Sequence, residues 1–451
     1  MELNRKIYNE LLKWKQRSHG ESAILIEGAR RVGKSYIAEK FAQQEYKSYI
    51  LIDFSNINEN LLQVFNQFKN DLDSFFQYLS VYYETKLYHR DSIFIFDEIQ
   101  FYPKARALIK HLVKDGRYDY IETGSLISLK QNVKDILIPS EEESITMFPL
   151  DFEEFCWAMK DELSIPYIKE CFDKKKAIGD AIHNKMMHLF KEYVLVGGMP
   201  QVVLKYAETK DFHEVDKIKR RILKLYRDDV SKFASGYEYK VLSIFDEIPA
   251  QLSKHEKKFK LSSLGCNARL RTYEDAFMWL DEAMITNVSF NSTDPNVGLG
   301  LSRDRLTMKC YMMDTGLLVT HAFFDDAKTS ANVYKAILFD KLEINEGMIL
   351  ENAVAQALRT KGHKLYFYSR YSKEDNKNTM EIDFIIKEET MTKAKISAIE
   401  VKTSKGYTYS SLEKYRTKFS SKVKECYILH TKDLKCEKGY TYLPIYMAMF
   451  L

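Results

Sequence analysis

Between about Ser22 and Leu150, short apolar runs alternate with amphipathic stretches: AILIEG, YILIDF, IFIFDE, DYIETG and ITMFPL each precede a segment with helical spacing. Runs such as IFIF lack polar alternation, the mark of strands buried on both faces, so this region predicts a parallel α/β sheet. From about Asp151 to Phe233 the strand signal nearly vanishes. FEEFCWAM and VDKIKRRILKLY carry apolar residues at helical intervals and predict a small helical domain. Between Tyr237 and Ala322, two or three helical stretches precede ITNVSF and LTMKCYMM, which read as a β-hairpin, an order compatible with a winged helix. The last part opens with a helix through ILENAVAQAL, continues with strands around KLYFYS, EIDFII and SAIEVK, and ends in mixed α/β. The predicted domains are 1–150, 151–234, 235–330 and 331–451.

Composition sharpens this picture in three places. The chain has 451 residues, too many for one hydrophobic core, yet only 17 Gly and 8 Pro, so boundaries must come from changes of pattern rather than from linkers. A hydrophobic share of 45% and a charged share of 29% exclude collagen-like, disordered and disulfide-scaffold classes. The six cysteines lie far apart without a C-x-x-C pair, which fits a reducing cytoplasm. The N-terminus, MELNRKIYNELLKW, mixes charges with Ile7, Leu11 and Trp14 and lacks the apolar run of a signal peptide. No run of 18 apolar residues appears, so a cytoplasmic protein without a membrane partner is expected. The net charge of +4 is too small to argue for nucleic acid by itself.

Candidate chemistry begins where AILIEG runs into Gly28-Ala29-Arg30-Arg31-Val32-Gly33-Lys34-Ser35, a G-x-x-x-x-G-K-S sequence followed by an amphipathic helix through Ile37 and Phe41. Glycines let backbone amides converge on phosphate oxygens at a helix N-terminus, Lys34 adds a point charge, and Ser35 can ligate Mg²⁺; Arg31 belongs to the same loop. The pattern is that of an ATP site. The buried strand IFIF ends in Asp97-Glu98 at the sheet's C-terminal edge, where doubly wound folds bind ligands. Asp97 is expected to hold Mg²⁺ through water and Glu98 to deprotonate the attacking water. DYIETG ends at Thr123 and Ser125, whose hydroxyls either sense the γ-phosphate or act as caps.

The succession GARRVGKS, FIFDEIQ, IETGSLIS, MFPLDFEEF, YVLVGGMP and YMMDTGLL resembles the AAA-type bacterial and archaeal ATPases that carry a C-terminal domain of unknown function. The resemblance covers nearly the whole chain. It implies a P-loop AAA+ sheet domain with a helical lid, a winged-helix-like middle domain and a restriction-endonuclease-like α/β C-terminal domain. It also implies that Gly28, Gly33, Lys34 and Ser35 bind nucleotide, that Asp97 and Glu98 form the second acidic motif, and that Thr123 or Ser125 is the polar sensor. Gly197-Gly198-Met199-Pro200 would sit in the lid near the nucleotide; a plain helix terminator is the other reading. Arg30, Arg31, Arg106 and Arg227 are all candidates for an arginine finger, and a neighbouring copy in a homo-oligomer is a further source.

In the middle region, the second helix of a helix-turn-helix would carry Glu274, Asp275, Asp281 and Glu282 against only Arg269 and Arg271, which argues against phosphate contact there. The C-terminal part is chemically richer. Asp383 in EIDFII is followed by Glu400-Val401-Lys402 on a second strand, and period-two geometry puts Glu400 and Lys402 on one face. The interval suggests a hairpin. This D…E-x-K core resembles restriction-endonuclease-like folds, and the likeness implies Mg²⁺ ligation by Asp383 and Glu400, Lys402 as base or stabiliser, and Glu351 as a supporting carboxylate. From Tyr334 onward 21 Lys/Arg face 15 Asp/Glu, a surplus that suits DNA as well as a solvated surface. Two functions are expected: an Mg²⁺-dependent ATPase that controls a nuclease-like domain acting on DNA, or a nucleotide-gated switch whose terminal domain only binds DNA or protein.

Overall fold

The computed structural model describes residues 2–68, 71–125, 139–234, 236–254, 257–266, 268–296, 298–324, 334, 346–371, 379–388, 395–403 and 409–451. The domain boundaries expected at 235 and at 330–331 lie outside the described residues. The chain forms two compact units, one built on Asn4–Phe148 and the other on Pro149–Asp281 with Ile285–Leu451.

The first unit contains strands β1 (Ala23–Gly28), β2 (Ser48–Asp53), β3 (Ser92–Asp97), β4 (Asp119–Ser125) and β5 (Glu142–Met147) in the order β2-β3-β4-β1-β5. Every pairing is parallel, as the unbroken apolar runs predict. Helices α1 (Lys6–Ser18), α2 (Lys34–Glu45), α3 (Glu59–Gln67), α4 (Leu72–Tyr82) and α5 (Pro103–Asp115) cover the strands. An aromatic core of Phe54, Phe65, Phe75, Phe76, Phe94, Phe96 and Tyr120 fills one side, joined by Leu108, Ile109 and Leu112 of α5. Ile37, Ala38, Phe41 and Ala42 are buried on α2, and Tyr8 of α1 packs edge-on against Phe41. With strand faces covered by helices, the ends of the strands are left to carry polar chemistry.

The second unit begins with helices α6 (Phe152–Ala158), α7 (Ser164–Asp173), α8 (Asp180–Val196), α9 (Pro200–Thr209), α10 (Phe212–Phe233), α11 (Glu238–Leu252) and α12 (Leu270–Glu282). There follow β6 (Thr286–Ser292), β7 (Arg303–Met312), α13 (Thr315–Ala322), α14 (Glu346–Thr360), β8 (Tyr366–Arg370), β9 (Met380–Glu388), β10 (Lys395–Val401), α15 (Ser410–Lys418), β11 (Val423–His430), β12 (Lys435–Glu437) and β13 (Tyr440–Pro444). The eight strands form one mixed sheet in the order β12-β13-β11-β10-β9-β8-β6-β7. The hairpin β6–β7 is present, but it extends the C-terminal sheet: Phe290 and Asn291 of β6 pair in parallel with Tyr366 and Phe367 of β8. Strand β6 is largely buried, which a partner strand on each side satisfies better than an isolated wing. β9 and β10 form the predicted antiparallel hairpin.

The helical segment is knitted into this unit by polar contacts. The Gln356 side-chain amide donates to the Tyr193 hydroxyl at 3.0 Å, and the amides of Ile178 and Gly179 donate to the Asp433 carboxylate at 3.0 and 2.9 Å. Among the described residues, no helix is long and apolar enough to cross a membrane.

Candidate nucleotide site and carboxylate–lysine cluster

β1 ends at Gly28, where an added Cβ would lie 2.3 Å from the carbonyl oxygen of Met147 on the neighbouring strand β5. Only glycine lets the two backbones approach this closely. The chain then curls through Arg31 at φ 71° and Gly33 at φ 95°, both left-handed, and enters α2 at Lys34. The Lys34 side chain folds into its own loop: Nζ donates to the carbonyls of Ala29 at 3.0 Å and Gly28 at 3.3 Å, and the residue is 5% exposed. Burial lowers its pKa, while the charges of Glu98 and Asp97 work in the opposite direction. Ser35 follows in the first turn of α2. A turn that excludes side chains and encloses one ammonium at a helix N-terminus fits the polyphosphate of a nucleotide.

Asp97 is the last residue of β3, and Glu98 takes left-handed angles at φ 52°, an uncommon conformation for a residue with a side chain. The strand register sets Thr123 opposite Ile26 and Ser125 opposite Gly28, so both hydroxyl residues reach the sheet end that carries the loop. Thr123 serves both acidic neighbours: its hydroxyl donates to Asp97 Oδ1 and accepts from the Glu98 amide at 3.1 Å. The Gln100 side-chain amide donates to Glu98 Oε2. Asp97 and Glu98 are therefore each held by a neighbouring side chain. Ser35 and Asp97 carry the oxygens that could hold Mg²⁺.

Two of the candidate arginines are engaged elsewhere. Arg106 on α5 makes a two-pronged pair with Glu142, at 2.8 Å from Nε and 2.6 Å from Nη2, and Arg227 pairs with Asp246. Beside Arg106 stands Glu122, fully buried, its pKa pushed far up by burial and then by the Glu142 charge, against Arg106. The sequence carried a signal for it: DYIETG holds an acid inside an otherwise apolar run.

The second polar cluster lies on the mixed sheet, and it brings together all four residues of the predicted D…E-x-K site. Asp383 on β9 and Glu400 on β10 occupy neighbouring strands, and Asp383 Oδ2 accepts from the Val401 amide at 2.9 Å. Lys402 Nζ lies 2.8 Å from Glu400 Oε2. Glu351 reaches in from α14, where it is 2% exposed. Residues from the middle region enter the same cluster. Lys309 on β7 places Nζ 3.2 Å from Glu351, 3.1 Å from Glu381 and 3.5 Å from Asp383. Lys257 pairs with Glu351, Lys258 lies 3.3 Å from Glu381, and the Tyr311 hydroxyl donates to Glu351 at 2.5 Å.

Electrostatics follow this packing. Burial raises the Glu351 carboxyl, yet the charges of Lys309 and Lys257 prevail and bring it down to about 2. Burial and then the Glu351 charge raise Asp383. Glu400 is pushed up to about 7 by burial, against the pull of Lys402. Lys309, Lys257, Glu381 and Tyr311 were missed from the sequence. The signal was Lys309 itself, a charge inside the apolar strand LTMKCYMM.

The YVLVGGMP and YMMDTGLL motifs also meet. Asp314 caps α13 by accepting from the Leu317 amide, and it also accepts from the amide of Gly198. Fully buried Lys219 on α10 donates to the carbonyls of Leu195 and Gly316 at 2.7 and 3.2 Å.

Family models match three stretches of the chain. Residues 20–156 match the family model of an AAA domain, residues 187–328 a domain of unknown function (DUF8612), and residues 346–448 a second domain of unknown function (DUF4143). No curated protein matches the chain. Among solved structures, the Aeropyrum pernix Orc1 protein in complex with DNA aligns at 11% identity and TM-score 0.29, over 72% of this chain and 93% of its own. A signal transduction ATPase with numerous domains and a tetratricopeptide repeat sensor, from Pyrococcus horikoshii, aligns at 12% identity and TM-score 0.30, over 80% of this chain and 48% of its own. By these matches, an AAA domain is followed in this chain by two domains of unknown function.

Proposed function

We propose that this protein is an ATP-binding, Mg²⁺-dependent ATPase of the AAA+ type whose nucleotide state governs its C-terminal nuclease-like module. The observation that carries this reading is the loop around Lys34, a buried ammonium ringed by backbone at the N-terminus of α2, with Asp97 and Glu98 close enough for their charges to act on it. Amides of Gly28–Ser35 cradle the phosphates, and Arg31 belongs to the same loop. Lys34 exchanges its carbonyl partners for β- and γ-phosphate oxygens. Ser35 and Asp97 would hold Mg²⁺, which when bound would supply charge neutralisation at the phosphates. Glu98, steadied by Gln100 and the Thr123 hydroxyl, takes the proton of the attacking water. Ser125 lies opposite Gly28 and is the second hydroxyl within reach of the terminal phosphate.

For the C-terminal module the reading is DNA binding, supported by the surplus of basic residues after Tyr334. Cleavage at Asp383, Glu400 and Lys402 is the alternative. The lysines lodged among these carboxylates favour binding over cutting. Calorimetry with ATP and Mg²⁺, turnover assays and DNA retention on wild type, Lys34→Ala and Glu98→Gln test the scheme. Wild type should bind and hydrolyse ATP, Lys34→Ala should do neither, and Glu98→Gln should bind without turnover. Folded wild-type protein that takes up no adenine nucleotide would rule the proposal out.

A further inference from the structure

Lys309 stands in mid-strand on β7 and is 1% exposed. Its ammonium lies 3.1 Å from Glu381, 3.2 Å from Glu351 and 3.5 Å from Asp383, at the point where these carboxylates from α14 and β9 converge. A divalent ion shared by Asp383 and Glu351 would need that point. Most of the remaining oxygens are taken as well: Glu351 also accepts from Tyr311 and Lys257, Asp383 from the Val401 amide, and Glu381 is paired with Lys258, while Glu400 Oε2 lies 2.8 Å from Lys402 Nζ without a hydrogen bond. Among the described residues, no three His, Cys, Asp or Glu side chains are arranged to hold a metal ion.

The charges close as well. With every group ionised, Glu351, Glu381, Asp383 and Glu400 face Lys257, Lys258, Lys309 and Lys402, so the cluster is then neutral without any added ion, and protonation of Glu400 would leave it positive. Bringing two further positive charges into it would leave them uncompensated in a buried site, where the desolvation cost is severe. The residues present do not fit a divalent metal.

We propose that the Lys309 ammonium is a built-in counter-ion that takes the place of the metal, leaving the module a nuclease-like scaffold that takes up no divalent cation. Lys309 then serves as a joint between β7, β9 and α14, and the D…E-x-K residues hold it rather than an ion. The inference rests on the nuclease-like reading of this core and not on the nucleotide site. Lys34→Ala, run beside the other variants, should lose ATP binding and leave the cation titrations unchanged.

Mn²⁺ binding to the full chain, followed by electron paramagnetic resonance without nucleotide, tests it. Wild type should show no Mn²⁺ uptake that Asp383→Asn abolishes, whereas Lys309→Ala should acquire a site that Lys309→Ala/Asp383→Asn loses. Mn²⁺ uptake by wild type that disappears in Asp383→Asn overturns the proposal. A folded Lys309→Ala that stays blind to Mn²⁺ overturns it too. Should Lys309→Ala fail to fold, the comparison of wild type with Asp383→Asn decides by itself.

Discussion

Oδ2 of Asp314 accepts a hydrogen bond from the backbone amide of Gly198, 2.5 Å away, while its Oδ1 accepts from the amide of Leu317 at 2.8 Å. One buried carboxylate thus stops the loop after α8 and starts α13. Asp314→Ala would leave two amides unsatisfied in the interior, at about 1–3 kcal/mol for each orphaned group. The expected loss is about 3 kcal/mol in denaturant unfolding, with Asp314→Asn recovering part of it. Gly198→Ala should destabilise independently, because its Cβ would sit 2.1 Å from the Leu150 carbonyl oxygen. Full stability of either alanine variant would show that this junction is not what holds the two segments together.

Thr123 separates binding from turnover. Its hydroxyl donates to Asp97 and accepts from the Glu98 amide, and it makes no bond to the loop carbonyls that hold Lys34. Thr123→Val keeps the shape and removes both bonds. ATP affinity should change by less than about threefold, while turnover falls roughly 10- to 100-fold, the scale of a misplaced general base. Thr123→Ser should restore most of the rate. An equal fall in affinity would assign Thr123 to nucleotide binding instead.

Arg106 tests whether the buried acids behind the sheet are structural. Its guanidinium is the partner of Glu142 and lowers the cost of burying Glu122. Arg106→Met should cost about 3–5 kcal/mol by leaving acids buried without a cation. Arg106→Met/Glu142→Gln should be less damaged than the single variant, because the uncompensated charge goes with its partner. If the double variant is the weaker of the two, the acids are held by something other than charge balance.

The glycine loop and the acidic strand end were legible because they are local in sequence: Gly28 to Ser35 are contiguous, and Asp97 and Ser125 end strands whose apolar runs announce them. The parallel sheet was legible for the same reason. The carboxylate cluster was only half visible, since Asp383, Glu400 and Lys402 follow a short spacing, whereas Lys257, Lys258 and Lys309 arrive from segments that precede them by more than seventy residues. Only the register of β6 against β8, a long-range pairing, brings β7 onto that sheet. The same pairing places β6–β7, which its local pattern joins to a middle domain, on the C-terminal sheet. A hairpin's local pattern does not say which sheet it will extend.

Glu400 offers a reading of this cluster through pH. The groups that face it are Lys402, which pulls its pKa down, and Asp383, which adds to the upward push of burial; the result is about 7 rather than the ordinary 4.5. The folded protein therefore holds this proton more tightly than the unfolded chain does. The associated stability is fully present below about pH 4.5, falls as the unfolded chain gives up its proton, and is gone above about pH 7. At about 1.4 kcal/mol per pH unit, the interval is worth at most about 3 kcal/mol. Glu400→Gln has no proton to lose, so wild type should lose about 2–3 kcal/mol relative to the variant between pH 5 and pH 8 in urea unfolding. A difference that stays flat across that window would mean the carboxylate is already ionised in the folded state, paired fully with Lys402.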